Sequence, residues 1–227
     1  MRGNIQTFLA GVMTLLFAAM FFAARDQLDA LTVEDGPLEN LTALLYLVAA
    51  ILFVLGLRRR TAGPIWLALL AVAAFFVAGE EISWGQRIFG WSTPDGIAVI
   101  NVQDETTIHN IAGIHGNIRA LAVVFVAAFC VMLPFTNRFV PALKHFYARW
   151  RIPIFPMSAL PWVVMAIGFM LVPRLLGEHV GSLDEIGETA LGLAFALFGW
   201  AYRRTSIREV SVPASNVTGT SEFQQAS

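Results

Sequence analysis

The side chains best suited to chemistry lie close together in one stretch, Gly79-Glu80-Glu81-Ile82-Ser83-Trp84-Gly85-Gln86-Arg87, which directly follows the apolar residues 65–78. Carboxylates can act as general acids or bases and can ligate hard metal ions, whereas an arginine binds anionic groups. This first polar segment, residues 79–87, therefore predicts a catalytic or binding site at the end of an apolar helix.

The spacing within this segment predicts which side chains share a helical face. If the helix continues, Glu80, Ser83, Trp84 and Arg87 fall at i, i+3, i+4 and i+7 and form one stripe, while Glu81 points elsewhere. An internal salt bridge is the structural alternative. If the helix is embedded in a membrane, an ionisable group near its end costs at least about 2.5 kcal/mol, and such groups usually mark a functional path. Because the two adjacent glutamates point in different directions, we expect them to have different roles.

Two further polar segments carry candidate residues. In the second, residues 101–110, Glu105 and His109 are four apart, a spacing that suits metal ligation or a carboxylate-oriented base. The third, residues 174–188, contains Glu178-His179. Acids at the start of the last helix are explained by the helix dipole. Glu188 lies about one turn deeper, where the dipole explains an acid less well, so its position indicates a functional role.

These patterns assign roles by residue type. Catalytic roles are predicted for Glu80, Glu81, His109 and Glu188, and substrate-binding roles for Ser83, Arg87 and Arg174. The predicted metal ligands are Glu81, His109, Glu178 and His179, and the cofactor would be a divalent metal ion.

The composition defines the class of protein that must position these residues. Of 227 residues, 57% are hydrophobic and 14% are charged, whereas soluble domains have roughly 45–50% apolar and about 25% charged residues. The sequence therefore predicts a membrane protein with lipids as partners. Because no basic patch occurs outside the short loops, nucleic acid is excluded as a partner.

Apolar runs of about 20 residues, enough to cross a bilayer, predict an all-α, polytopic membrane protein with a bundle of six transmembrane helices. The predicted spans are residues 5–24, 38–57, 64–84, 118–136, 158–176 and 183–202. They make up a transmembrane domain, residues 1–204, followed by a disordered cytoplasmic tail, residues 205–227.

The charges predict the orientation. With both termini in the cytoplasm, most of the 15 basic residues fall on the cytoplasmic side and most of the 16 acidic residues on the other, as the positive-inside rule requires. We therefore expect a multi-pass protein of the cell (inner) membrane whose polar site faces the extracytoplasmic side.

The string Gly79 to Arg87, with His109-Asn110 downstream, resembles one found in uncharacterised bacterial multi-pass membrane proteins. The resemblance brings no activity with it.

Three functions remain open from the sequence. The first is a metal-dependent or acid/base enzyme acting on a lipid or lipid-linked substrate at the extracytoplasmic rim. The second is a proton-coupled transporter, which the scarcity of polar residues in the middle of the helices disfavours. The third is a non-catalytic assembly or structural membrane protein. No pattern specifies an oligomeric state.

Overall fold

The computed structural model describes residues 2–33, 35–58, 62–101, 105–108, 111, 115–175 and 181–209. Within these ranges the regular structure is helical, apart from an isolated antiparallel bridge between Asn101 and Ile111. The predicted all-α class is confirmed.

The long helices follow the predicted apolar runs, with short helices between them. In chain order they are α1 Arg2–Ala23, α2 Arg25–Thr32, α3 Pro37–Leu57, α4 Pro64–Glu81, α5 Gln86–Phe89, α6 Asp95–Ala98, α7 His115–Val126, α8 Leu133–Phe139, α9 Pro141–Arg149, α10 Leu160–Leu175 and α11 Gly181–Glu209. A π-helical turn, Ala127–Met132, joins α7 to α8, and 3-10 turns cover Ser83–Gly85 and Met157–Ala159.

Four stretches within the described helices are long and apolar enough to cross a membrane: Gly3–Ala23, Pro37–Leu57, Pro64–Glu81 and Leu121–Phe139. Met157–Leu171 is a shorter apolar segment. This pattern is compatible with an integral membrane protein. The last helix continues to Glu209, past the predicted domain boundary at residue 204, and residues 210–227 lie outside the described part.

The packing order brings three helix ends together. Helix α3 packs against both α4 and α11, and α10 packs against α11 and α1. Thr42 contacts Thr189 near the start of α3, and Leu52 lies against Gly199 further along both helices, so α3 and α11 run parallel. Because α4 returns antiparallel to α3, the start of α3, the end of α4 and the start of α11 meet. We call this the acidic end of the bundle.

Two glycines allow α3 and α11 to approach closely. A Cβ atom on Gly192 would lie 3.2 Å from Leu45 Cβ, and one on Gly199 would lie 2.8 Å from Leu52 Cβ. The same seven-residue interval on both helices places each glycine opposite a leucine. Small residues at such positions let helix backbones pack tightly where burial from water supplies little driving force.

The opposite end, where α3 and α11 finish, is called the basic end. An aromatic core supports it. Phe198 is fully buried, and its ring centroid lies 5.2 Å from those of Phe53 and Phe155 and 5.3 Å from that of Tyr202. Interlocking rings of this kind supply much of the dispersion energy of a core.

Candidate functional site

The first polar segment breaks the helix that it was predicted to continue. Helix α4 ends at Glu81, and Ser83, Trp84 and Gly85 have φ angles of 47°, 53° and 87°. The chain therefore turns back, and the Trp84 ring covers Gly79, where a Cβ atom would lie 2.8 Å from the ring. The predicted continuous stripe through Ser83 and Arg87 is wrong because three successive left-handed residues end the helical register.

Glu80 anchors a neighbouring segment. Its side chain is buried, with 7% of its surface exposed. Trp84 Nε1 donates a hydrogen bond to Glu80 Oε1 at 2.6 Å, and the backbone N–H of Ile108 donates to Oε2 at 2.7 Å. Hydrogen bonds to a carboxylate are about twice as strong as neutral ones. Glu80 therefore ties the second polar segment to the end of α4, and its catalytic role stays a prediction.

One amide side chain reinforces this attachment, and a second folds the second polar segment onto itself. Gln86 Oε1 accepts the backbone N–H of Thr106 at 2.7 Å. Asn101 Nδ2 donates to the carbonyl oxygen of Thr107 at 2.9 Å, and Asn101 Oδ1 accepts the N–H of Glu105 at 3.2 Å. The first and second polar segments, separated by residues 88–100, thus form one hydrogen-bonded unit.

A carboxylate cluster joins the first and third polar segments. Glu81, at the end of α4, lies beside Glu185 and Glu188 of α11, with one carboxylate oxygen of each within 4.8 Å of the others. All three side chains are partly buried. Glu185 and Glu188 are three residues apart and share a helical face. We refer to these three residues as the carboxylate cluster.

The surroundings of the cluster carry more polar groups. Glu39, near the start of α3, interacts electrostatically with Glu81, and Tyr46, two turns further along, interacts with Glu81 and Glu188. Thr42 of α3 shares a 2.8 Å hydrogen bond with Thr189 of α11. The cluster is therefore the rim of a polar region that extends a short way into the bundle.

The arrangement of the cluster suits a hard cation. Carboxylates held this close repel one another, so the folded state gains when a cation or protons bind between them. Oxygen ligands alone favour Mg²⁺, Mn²⁺ or Ca²⁺ over softer metals. A cation held there would act as a Lewis acid or activate a bound water molecule.

Ser83 lies two residues beyond Glu81. It is completely buried, and its hydroxyl oxygen has no hydrogen-bond partner within the described part of the chain. A buried hydroxyl without a partner is costly. Its predicted contact with substrate stays a prediction.

The remaining predicted site residues have side chains that lie outside the described part of the structure. The backbones of Arg87 and Arg174 belong to α5 and α10, and their side chains lie outside the described part. His109, Glu178 and His179 lie outside the described residues altogether. Their predicted roles in binding, catalysis and metal ligation stay predictions.

Glu185 is a cluster member that the sequence analysis did not select, because acids in a first helical turn are explained by the helix dipole. The signal that could have identified it is the Glu-x-x-Glu pair, residues 185 and 188, which places two carboxylates on one face. The two adjacent glutamates do lie in different surroundings: Glu80 holds a backbone segment, whereas Glu81 belongs to the cluster.

Comparisons with known proteins add no family to this picture, since no protein-family model, no curated protein and no solved structure matches the chain. The fold and the site together define a helical, membrane-compatible protein with a carboxylate cluster at one end of its bundle.

Proposed function

We propose that this protein is a six-helix integral membrane enzyme that binds a divalent cation at its carboxylate cluster and acts on a lipid or lipid-linked substrate. The observation that carries the proposal is the convergence of Glu81, Glu185 and Glu188 from two helices, with their oxygens within 4.8 Å of one another. Ionisable groups within apolar helices are expensive, and where they persist they usually mark a functional path.

The position of the cluster supports a lipid substrate. It lies where the apolar span Pro64–Glu81 ends, which in a bilayer of ordinary thickness would be at the boundary between the hydrocarbon and the headgroups. With the arginine-rich loops in the cytoplasm, the cluster would face the extracytoplasmic side of the cell membrane. The cation would polarise a phosphoryl or carbonyl oxygen of a headgroup that approaches from the membrane.

The alternative of a proton-coupled transporter requires polar groups along the whole path. Among the described residues, the polar side chains inward of the cluster are Thr42, Tyr46 and Thr189, and the buried thiol of Cys130 interacts with Tyr46. Beyond them, residues 47–57 of α3 and residues 190–199 of α11 are all apolar or glycine. A polar site confined to the acidic end of the bundle supports an enzyme rather than a transporter.

The test is metal binding by the purified protein. Wild type and the variants Glu81→Gln, Glu185→Gln and Glu188→Gln would be stripped with chelator, titrated with Mn²⁺ and followed by electron paramagnetic resonance. Losing an outer-shell partner weakens metal affinity roughly 10- to 100-fold, so losing a direct ligand should weaken it at least as much. Asp95→Asn is the matched control because Asp95 is an exposed acid outside the cluster.

Enzymatic activity can be measured on the same protein samples. Wild type incubated with a total membrane lipid extract should convert one lipid class in a Mn²⁺- or Mg²⁺-dependent manner, as seen by mass spectrometry, and Glu188→Gln should not. A wild-type protein that binds no divalent cation, or one whose affinity is unchanged in all three glutamine variants, would contradict the metal-dependent mechanism.

A further inference from the structure

The basic end of the bundle contains an open cavity of about 400 Å³ that takes no part in the proposed function. Its polar lining comes from Asn137, Lys144, Tyr147, Arg151 and Tyr202. These residues belong to α8, α9, the turn after α9 and the end of α11, so the cavity is formed only when four parts of the chain meet. We call it the basic cavity.

The charge of the basic cavity favours an anion. Lys144 and Arg151 both line it, and its lining contains no acidic side chain. Lys144 is exposed and has no ion pair with the described residues. Two cations at the mouth of a cavity with apolar walls concentrate anions from the surrounding solution.

Hydrogen-bond donors add specificity to this charge. Tyr202 Oη accepts the backbone N–H of Ile154 at 2.8 Å, which leaves its own hydrogen free to donate. The Asn137 amide also borders the cavity, and within the described part of the chain it forms no hydrogen bond. An ammonium, a guanidinium, a phenol and an amide together match the several acceptor oxygens of a phosphate group.

The cavity lies at the level expected for a lipid headgroup. The apolar span Leu121–Phe139 ends beside it, and α9 carries Lys144 and Arg149 together with the exposed ring of Phe146. Trp150, also exposed, follows directly. Short basic helices with exposed aromatic rings lie in the interface between lipid and water.

We propose that the basic cavity binds the phosphate group of an anionic ligand, with Lys144, Arg151, Asn137 and Tyr202 supplying the contacts. A phosphatidylglycerol-type lipid and a soluble phosphate ester share this chemistry. The headgroup depth of the cavity favours the lipid.

The experiment measures binding to detergent-purified full-length protein by native mass spectrometry and by the shift in thermal unfolding midpoint. The probes are short-chain phosphatidylglycerol, the matched phosphatidylcholine and glycerol phosphate. Lys144→Gln should weaken phosphatidylglycerol binding about 5-fold, since one basic side chain near a membrane surface contributes about that factor. Arg149→Gln is the control, because Arg149 is also exposed on the same helix but does not line the cavity.

Each outcome decides the proposal. A larger loss for Lys144→Gln than for Arg149→Gln supports a defined site, and competition by glycerol phosphate then tells whether a soluble ester also fits. Equal losses for the two variants would mean diffuse attraction to a basic surface and would overturn the proposal. So would equal affinity for phosphatidylglycerol and phosphatidylcholine. Both residues are exposed, so neither substitution should prevent folding.

Discussion

The two ends of this helical bundle are built by different physics. At the acidic end, Glu80, Gln86 and Asn101 hold residues 105–108 by directional hydrogen bonds. At the basic end, the fully buried Phe198 packs among aromatic rings, and Tyr202 is the side chain that holds the backbone of Ile154.

The difference indicates how each end should fail. Hydrogen bonds at a rim break one at a time and release a local segment, whereas a shared aromatic core contributes to the stability of the whole bundle.

The largest expected effect comes from the aromatic core. Phe198→Ala should lower the free energy of unfolding by about 3–5 kcal/mol, because it removes a fully buried ring and leaves a cavity. The measurement is thermal unfolding in detergent, followed by tryptophan fluorescence. Phe8→Ala, at an exposed position on α1, is the control and should change the midpoint little. Comparable losses in both variants would contradict the special role of the core.

A smaller and more local effect is expected at the acidic end. Glu80→Gln leaves one of two donors, Trp84 Nε1–H or Ile108 N–H, without an acceptor and removes the charge from the other hydrogen bond, which should weaken the local structure that holds Ile108 by roughly 1.5–3 kcal/mol. Hydrogen exchange at Ile108 should accelerate while α3 and α11 stay protected. Global unfolding in place of local release would show that the two ends are not separable.

A third prediction concerns the contact that runs between the two ends. Gly199→Ala places a Cβ atom 2.8 Å from Leu52 Cβ, so α3 and α11 must separate, at about 1–3 kcal/mol. Gly168→Ala in α10 meets no atom within 4 Å and is the matched control. An equal change in unfolding midpoint for both variants would show that the close approach is not required.

At the basic end, Tyr202 accepts a backbone N–H as Glu80 does at the acidic end. Tyr202→Phe removes a neutral acceptor from the N–H of Ile154, and the expected loss is about 0.5–1.5 kcal/mol. Hydrogen exchange at Ile154 measures it directly. Because the acceptor is uncharged, this loss should be smaller than that of Glu80→Gln, and the reverse order would break the comparison.

The smallest effect is expected on the surface of α2. Arg25 Nε donates to Asp29 Oδ1 at 2.9 Å, and both side chains are exposed. Asp29→Asn should change the free energy of unfolding by no more than about 0.2–1 kcal/mol. This change should vanish in high salt. The unfolding midpoint at low and high ionic strength measures it, and a large, salt-independent loss would contradict a solvent-screened pair.

The long helices could be predicted because apolar length is a local property of the chain. The predicted runs 38–57 and 158–176 correspond closely to Pro37–Leu57 and Leu160–Leu175. The end of α4 could not be predicted in the same way. Trp84 folds back onto Gly79, and this tertiary contact overrides the helical tendency of the neighbouring residues.

The candidate site likewise has features that could be predicted from spacing along the chain and features that depend on how the helices pack. Helical periodicity alone placed Glu80 and Glu81 on different faces, because side-chain direction along a helix depends only on spacing. It could not bring Glu185 to Glu81, since that distance depends on how α4 and α11 pack around α3. Apolar run length in the sequence was enough to locate the long helices. Which carboxylates meet depends on tertiary packing, because contacts between distant segments do not follow from spacing along the chain.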